Sequence, residues 1–457
     1  MRLRQARHLL FSTIGAGACV IFWLATKQWL KDRLDVLGAT SKARKRPPSG
    51  HIFHSLHLDE NQCEAVFPGL TNDINYNVAL GPFKLTLGGS LGPLQVRIKN
   101  GRLYIAPRKD AVALSSELLE AQSAALHQID RAIITSPELL PNTILSINIR
   151  DQPFGAAFSY ARPAYAAPSA NTPPVTRAFL MPHFSFWSWP LPFIGSMSRA
   201  AAATDAIERE VPFTRKIPKV VWRGTRSWSS SYHPRQREDL IRVTKGAPWA
   251  DVQPLTGYGP VTHKTDTGDS RPHREDTSNA LMIEDFCRYK YIIYTEGVTY
   301  SGRLQFHQMC KSVLLSPPIA WLQHTTHLVR PLFSSDLPLI QRNGTSKSWQ
   351  GSAGEQEAWP VHYRPKEANV IFVAPDWSDL EATVNWLEEH PGTAEGIATR
   401  QRDLFVGRGY LSPAAETCYW RSLIKGWSKA VQIEENESTW EVQNLIPWET
   451  FVLGNHT

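Results

Sequence analysis

The residues best suited to chemistry lie in a short polar stretch between two apolar runs. Thr299, Ser301 and Arg303 supply two hydroxyls and a fixed cation just before residues 304–310, which have the composition of a helix. Backbone N–H groups at a helix start favour anions, and a guanidinium group can bind phosphate through two parallel hydrogen bonds. These residue types predict a diphosphate site. The alternative is an ordinary connection in which Arg303 is an exposed helix-capping residue, because the stretch lacks a Walker or G-x-G-x-x-G pattern.

Two apolar runs must position this stretch. Residues 291–294 are short and apolar enough for a buried strand, 295–297 have turn composition, and 313–315 form a second apolar run. Strand, turn, helix and strand make a βαβ unit, in which ligands bind beyond the carboxyl ends of the strands. We therefore expect the site at the edge of a parallel sheet.

A carboxylate at the end of another apolar strand is the candidate base. Asp151 follows the predicted strand 144–149, so its side chain should project into a cleft rather than a core. One carboxylate in such a position can serve as a general base that takes a proton from a reacting group. The alternative is a turn-forming aspartate before Pro153, and spacing alone favours that alternative.

Several blocks of the sequence resemble glycosyltransferase family 90, which holds fungal capsule-associated xylosyltransferases and animal Rumi-type protein O-glucosyltransferases. The blocks are 148–153 (NIRDQP), 222–226 (WRGTR), 284–316 (with G-x-TYSGR) and 410–429 (with CYW). The chain departs from the pattern at Glu296, where many relatives carry Asp, and at 309–311. The resemblance implies an α/β, GT-B-like fold with two Rossmann-like lobes and an interlobe cleft. It also implies an inverting transfer of xylose or glucose from a UDP-sugar to a hydroxyl of a glycan or protein.

The resemblance gives a role to each matching position. Asp151 would be the catalytic base, and Phe186 and Trp187 would line the nucleotide-sugar site, unless their loop only fills the core. The other donor-binding residues would be Arg223, Gly224, Thr225, Val298, Thr299, Tyr300, Ser301, Gly302 and Arg303. No cofactor is expected beyond the UDP-sugar as donor substrate, and no metal, because no Asp-x-Asp motif is present. The rival interpretation is a non-catalytic glycan-binding relative that retains the fold, against which the set of Asp151, Arg223 and Arg303 argues.

Four cysteines lie outside the apolar N-terminal segment: Cys63, Cys287, Cys310 and Cys418. In an oxidising compartment they allow two bridges in three possible pairings. The resemblance selects Cys287 with Cys310, which leaves Cys63 for Cys418. A zinc site is the competing hypothesis, but the sequence has no C-x-x-C motif.

The N-terminal segment predicts attachment to a membrane. Residues 9–25 carry no charge, and we place a transmembrane signal anchor at 9–26; an Arg-rich transit peptide is the alternative. Glycosylation sequons at Asn343, Asn436 and Asn455 favour a luminal catalytic part. The lysines and arginines that follow the span argue against a cytosolic N-terminus, but long domains are translocated largely regardless of flanking charge. We therefore expect a single-pass type II protein of the Golgi or endoplasmic reticulum. The net charge of +7 suits anionic ligands or membranes but is too dispersed to predict nucleic-acid binding.

The remaining pattern divides the chain into segments. With 42% hydrophobic residues in 457, more than one core can be buried. A hairpin is predicted around Asn100-Gly101, a helix begins near Ser378 with Glu381 as a capping box, and Pro391 ends it. The expected segments are a cytosolic tail (1–8), the anchor (9–26), a stem (27–60), an N-terminal lobe with the base (61–205), a nucleotide-sugar-binding lobe (206–410), a closing helix (411–435) and a tail (436–457), with an insertion at 254–278.

Overall fold

The computed structural model describes residues 50–85, 94–105, 115–166, 177–256, 279–339, 349–433 and 445–454. Residues 50–457 form one unit by their contacts. The predicted anchor at 9–26, the sequons at Asn343, Asn436 and Asn455, and residues 257–278 of the insertion lie outside the described residues. In the described ranges, no helix is both long enough and apolar enough to cross a membrane.

The strands and helices are numbered along the chain. The strands are β1 (Phe83–Lys84), β2 (Leu94–Lys99), β3 (Arg102–Ile105), β4 (Thr143–Ile147), β5 (Ala156–Ser159), β6 (Arg162–Pro163), β7 (Arg177–Leu180), β8 (Ser188–Trp189), β9 (Gly195–Ser196), β10 (Ile217–Gly224), β11 (Ala250–Pro254), β12 (Tyr289–Ile293), β13 (Val313–Ser316), β14 (Trp321–Leu322), β15 (Pro331–Phe333), β16 (Val370–Phe372), β17 (Val431–Gln432) and β18 (Ile446–Pro447). The α-helices are α1 (Glu60–Val66), α2 (Asn72–Ala79), α3 (Ser116–Ile134), α4 (Met197–Glu210), α5 (Gln236–Thr244), α6 (Leu304–Gln308), α7 (Ala353–Ala358), α8 (Leu380–Glu389), α9 (Pro391–Arg402), α10 (Pro413–Ala430) and α11 (Trp448–Gly454).

The first sheet is mixed, in the order β18-β3-β2-β4-β5-β7. The predicted hairpin joins β2 and β3, and Asn100 and Gly101 at its turn have positive φ values of 51° and 72°, as a type I′ turn requires. The pairings of β18 with β3, β3 with β2 and β2 with β4 are antiparallel, whereas β5 pairs in parallel with β4 and β7. This sheet therefore departs from the parallel Rossmann-like pattern that the resemblance implied.

The second sheet is wholly parallel, in the order β11-β10-β12-β13-β16-β15. Its central strands are buried on both faces, which explains why they read as continuous apolar runs. Tyr291 and Ile293 face the cluster that includes α8 and α9, while Ile292 faces a core shared with the first sheet. The chain is thus an α/β protein, as predicted.

The last long helix, α10, packs on the first sheet rather than the second. Trp427 donates to the carbonyl of Ile144 in β4 at 2.9 Å, and its ring lies 5.0 Å from that of Phe158 in β5. Arg421 donates to the carbonyls of Leu58 and Ala132 at 2.9 and 3.0 Å. The chain therefore returns to its beginning to complete the first core.

One of the local expectations around α8 is wrong. The predicted capping box of Ser378 and Glu381 does not form, because Asp379 occupies the N-cap position of α8. The Asp379 carboxylate instead accepts from the amide of Ala374 at 3.0 Å, which ties the end of β16 to the helix start. The predicted end of this helix is confirmed: α8 stops at Glu389, and His390, the residue before Pro391, has left the helical conformation. Pro391 itself begins α9, where proline is tolerated.

Candidate active site

A tight turn after β4 presents Asp151. The buried Asn148 side chain donates to the carbonyl of Gln152 at 2.7 Å and accepts from the amide of Arg150 at 3.0 Å. Strand β4 is buried along its whole length, and the chain becomes exposed after it at Arg150, Asp151 and Gln152. Asp151 is consequently an exposed side chain at the end of a buried strand, as the sequence predicted.

Asp151 lies against the turn that carries the predicted donor-binding residues. We call residues 295–303 the 295–303 turn. The hydroxyl of Thr299, which is fully buried, donates to the backbone carbonyl of Asp151 at 3.1 Å. Burial, with a further contribution from the Asp151 carboxylate, raises the pKa of Tyr160 and of Tyr300, so both phenols lie near that carboxylate. The first sheet and the second sheet thus meet at this point.

The environment of Asp151 favours a base. Its side chain is accessible to solvent, yet desolvation by the surrounding protein raises its pKa above the ordinary value. These two facts together describe a recess, in which a group can meet a ligand while much of its hydration is removed. A raised pKa makes the carboxylate a stronger proton acceptor once it is ionised.

The 295–303 turn is held from below by Tyr294. The Tyr294 hydroxyl accepts from the amide of Ser301 at 3.1 Å and from the side-chain amide of Gln323 at 3.2 Å. Helix α6 begins at Leu304 and has only five residues, so it is shorter than the predicted 304–310. The positive charge for an anion must therefore come mainly from side chains rather than from the helix dipole.

Two cations, the buried Arg237 and the half-buried Arg303, meet beneath this turn. Arg303 donates to the carbonyl of Arg223. Arg237, on the first turn of α5, donates to the carbonyls of Glu296 at 3.0 Å and Thr225 at 2.7 Å. In the part of the chain that the structure describes, neither guanidinium forms an ion pair with a carboxylate. Burial, with repulsion from Arg303, lowers the pKa of Arg237 to about 9, and burial lowers that of Arg303 to about 10.

Sequence reasoning did not identify Arg237. Its segment, QREDLIRV, reads as a charged solvated helix face, whereas Arg237 is 3% exposed. The available signal was its position in the first helical turn after the carboxyl end of a parallel strand, which is where ligands bind in such sheets.

The block 222–226 at the end of β10 contributes backbone carbonyl groups to the site, whereas the charge of Arg223 is directed elsewhere. The guanidinium of Arg223 pairs with the carboxylate of Asp251 at 2.9 Å and donates to the carbonyl of Asn279 at 2.9 Å. Gly224 allows a close approach, because a Cβ there would lie 2.5 Å from the ring of Trp222. The carbonyls of Arg223 and Thr225 are what position Arg303 and Arg237. A donor contact by the Arg223 side chain stays a prediction.

The 183–189 segment reaches the site through residues other than those predicted. Phe186 is buried with its ring 5.2 Å from that of His324, and Trp187 stacks on His127 at 4.9 Å with Arg131 over its ring at 5.0 Å. The contact with the 295–303 turn is made by His183, which packs on Gly302. A role for Phe186 and Trp187 in donor binding stays a prediction.

Of the remaining donor-binding candidates, Val298 is exposed and Tyr300 is buried beside Tyr160, with ring centroids 6.1 Å apart.

Both disulfides are confirmed. Cys287 pairs with Cys310 across α6, and Cys63 pairs with Cys418 between α1 and α10.

Comparison with known proteins agrees with these features. Residues 62–338, more than half of the chain, match the family described as "Glycosyl transferase family 90". The "O-glucosyltransferase rumi" of Drosophila melanogaster is 24% identical over 314 residues, which are 67% of this chain and 65% of that protein. The "Protein O-glucosyltransferase 1" of Homo sapiens is 22% identical over 299 residues, 64% of this chain and 63% of that protein. The "O-glucosyltransferase rumi homolog" of Anopheles gambiae is 24% identical over 225 residues, 49% of this chain and 45% of that protein.

The chain thus spans about half to two thirds of the length of these curated relatives. The resemblance seen in the sequence blocks is confirmed by a match that includes Asp151, Arg237, the 295–303 turn and the Cys287–Cys310 bridge. The chain belongs to glycosyltransferase family 90.

Proposed function

We propose that this protein is an inverting glycosyltransferase that moves glucose or xylose from a UDP-sugar to a hydroxyl of a glycan or protein. The observation that carries the proposal is a pair of guanidinium groups, the buried Arg237 and the half-buried Arg303, beneath a turn that touches Asp151. A buried cation without an anion is costly, and a diphosphate would supply the missing charge. The names of the relatives, O-glucosyltransferases, support glucose as the transferred sugar.

In the proposed reaction Asp151 accepts the proton of the acceptor hydroxyl. The acceptor oxygen attacks the anomeric carbon as the bond from that carbon to the diphosphate oxygen breaks, and the electron pair leaves with UDP. Arg237 and Arg303 stabilise the charge that develops on the leaving group. A single displacement inverts the anomeric configuration. In this proposal the two sheets are the two lobes of a GT-B-like fold, and the Asp151 recess is part of the cleft between them.

We also propose that the protein is a single-pass type II membrane protein with its catalytic part in the lumen of the endoplasmic reticulum or Golgi. The two disulfides support an oxidising compartment. Protease protection of the catalytic part in sealed microsomes tests this topology, and digestion without detergent would contradict it.

The activity is tested with the full chain, UDP-glucose and UDP-xylose, by measuring UDP release with and without acceptors. Replacing Asp151 with Asn should lower turnover by roughly 10²–10⁴-fold, because the proton acceptor is lost. UDP affinity, measured by calorimetry, should stay unchanged because the two arginines are intact. Unchanged turnover in Asp151→Asn would remove the assignment of the base. A non-catalytic glycan-binding relative would bind ligand and release no UDP.

A further inference from the structure

His183 is a buried histidine whose orientation is fixed by the helix that follows the 295–303 turn. It is 4% exposed and precedes the short 3-10 helix Phe184–Phe186. Its Nδ1 accepts from the backbone amide of Ser185 at 3.2 Å and lies 2.8 Å from the Ser185 hydroxyl. Gln305 of α6 donates to that hydroxyl at 2.6 Å. The ring is thus tied to α6 through one serine.

These bonds determine which ring nitrogen carries the proton. A backbone N–H can only donate, so Nδ1 must present its lone pair to Ser185. Burial lowers the pKa of His183 to about 3, with a smaller contribution from His324, so the ring is neutral at physiological pH. A neutral imidazole has one proton, and with Nδ1 as acceptor that proton is on Nε2.

The Nε2 side of the ring faces the candidate donor site. A Cβ added to Gly302 would lie 2.7 Å from Nε2 and 2.5 Å from Cε1, so only glycine fits between Ser301 and Arg303. The ring is held in place by Phe184 at 3.9 Å, Tyr160 at 5.1 Å and Trp189 at 5.3 Å between centroids. Within the described ranges, Nε2 has no hydrogen-bond acceptor.

The described residues leave this N–H donor unpaired beside Gly302, so the arrangement indicates a ligand that brings an acceptor. The neighbouring groups identify its class. Arg303 follows Gly302 directly, and Arg237 lies beside Arg303, so the space near Nε2 is positive and favours an oxyanion. A neutral donor adds a hydrogen bond there without adding a third charge that Arg237 and Arg303 would repel.

We propose that His183 donates a hydrogen bond from Nε2 to the diphosphate of the nucleotide-sugar donor, and that Ser185 and Gln305 fix the tautomer that makes this possible. The inference rests on the proposed function, since it specifies a further contact for the same donor. His183 is a binding residue in this scheme, and Ser185 is a positioning residue that acts through it.

The test is UDP binding to the full chain by calorimetry. His183→Phe keeps a planar ring but removes the donor, and His183→Asn tests whether a smaller side chain gives the same result. We expect the Kd of each to rise about 10-fold, the equivalent of one hydrogen bond to a charged group. Ser185→Ala should raise the Kd several-fold alone and add nothing to His183→Asn. The matched control is His390→Asn. His390 is hydrogen-bonded to the backbone carbonyl of Trp386 in α8, and its ring stacks on the indole ring of the same residue. The Kd of this variant for UDP should equal that of the wild type.

A spectroscopic measurement separates binding from packing. In protein with ¹⁵N-labelled histidine, the His183 signal should show Nε2 protonated, and UDP should shift that nitrogen. A proton on Nδ1, no shift with UDP, or a Kd within twofold of wild type in both His183 variants overturns the inference. If the wild type binds UDP and Arg303→Lys weakens binding, such a result leaves the proposed function intact. If the wild type binds no UDP, both proposals fall.

Discussion

Arg237 should be dispensable for folding and needed for donor binding. Replacing it with Met removes a buried charge and keeps an unbranched side chain of similar length. Burial and the repulsion by Arg303 lower its pKa from 12.5 to about 9. Each tenfold change in the acid dissociation constant corresponds to about 1.4 kcal/mol. Without a ligand, the site therefore destabilises the charged guanidinium relative to its neutral form by roughly 5 kcal/mol.

The replacement also removes two hydrogen bonds, to the carbonyls of Glu296 and Thr225. Each bond to a charged group contributes about 1.5–3 kcal/mol, so the loss offsets most of the relief. We therefore expect the free energy of unfolding without ligand to change by no more than about 2 kcal/mol. With UDP, the loss of a charge-assisted contact of about 3 kcal/mol should weaken binding by roughly 100-fold.

Arg421 provides a matched control. It too is buried, its pKa is lowered by burial to about 10, and it donates to backbone carbonyls. These bonds join α10 to Leu58 and to α3, and neither partner is a proposed ligand contact. Arg421→Met should lower the free energy of unfolding by several kcal/mol, and UDP affinity at low temperature should not change.

Urea denaturation and UDP calorimetry on the same preparations decide the question. If Arg237→Met destabilises the protein as much as Arg421→Met and binds UDP normally, then Arg237 is structural and the argument from uncompensated charge is wrong.

Three further outcomes are expected. Because burial raises the pKa of Asp151, kcat/KM for UDP release should fall as the pH drops through a value above 3.8. If the decrease occurs only at or below pH 3.8, Asp151 does not lie in a desolvating recess. Burial also raises the pKa of Glu296 from 4.5 to about 8, so the folded protein favours the protonated carboxyl group. The folded protein therefore loses stability as the pH rises from 4.5 through 8. Glu296→Gln should therefore raise Tm relative to wild type at pH 9 and leave it unchanged at pH 4, whereas an equal difference at both values would exclude ionisation as the cause. Replacing Cys63 and Cys418 together with Ser should lower the free energy of unfolding by about 3–5 kcal/mol in urea, because the bridge closes a loop of 355 residues; an unchanged midpoint would show that the bridge adds no constraint.

The sequence predicted the position of a residue well where that position depends on residue type at the end of an element. Asp151 could be placed because a carboxylate after an apolar strand has little choice but to face solvent. The 295–303 turn could be placed because two buried strands and their connection leave it at a sheet edge. The two disulfides followed from the family resemblance and not from the spacing of the cysteines.

It predicted less well where function depends on the direction of a long side chain. Arg223 follows the same strand-end rule as Asp151, yet its guanidinium turns to Asp251 on the neighbouring strand. Arg237 meets Glu296 across 59 residues of chain, and nothing local indicates that contact. His183 depends on Gln305 in the same way, because Ser185 and Gln305 are separated by 120 residues. Such pairings depend on tertiary packing, which local patterns do not encode.

The cap of α8 shows a smaller failure of the same kind. Ser378 and Glu381 have the types and spacing of a capping box, but Asp379 bonds the amide of Ala374 and the hydroxyl of Ser334 from the adjacent position. A one-residue shift of the helix start follows, because tertiary bonds are gained at Asp379 that Ser378 could not make.

The return of α10 to the first sheet has a consequence for biosynthesis. Trp420 and Trp427 supply part of the core beneath β4 and β5, and both are translated after every strand of the second sheet. Strands β4 and β5 are therefore made before the second sheet but can complete their core only after it. A nonsense mutation between β16 and α10 would therefore leave these apolar strands permanently without their final partner, although the whole second sheet had been made.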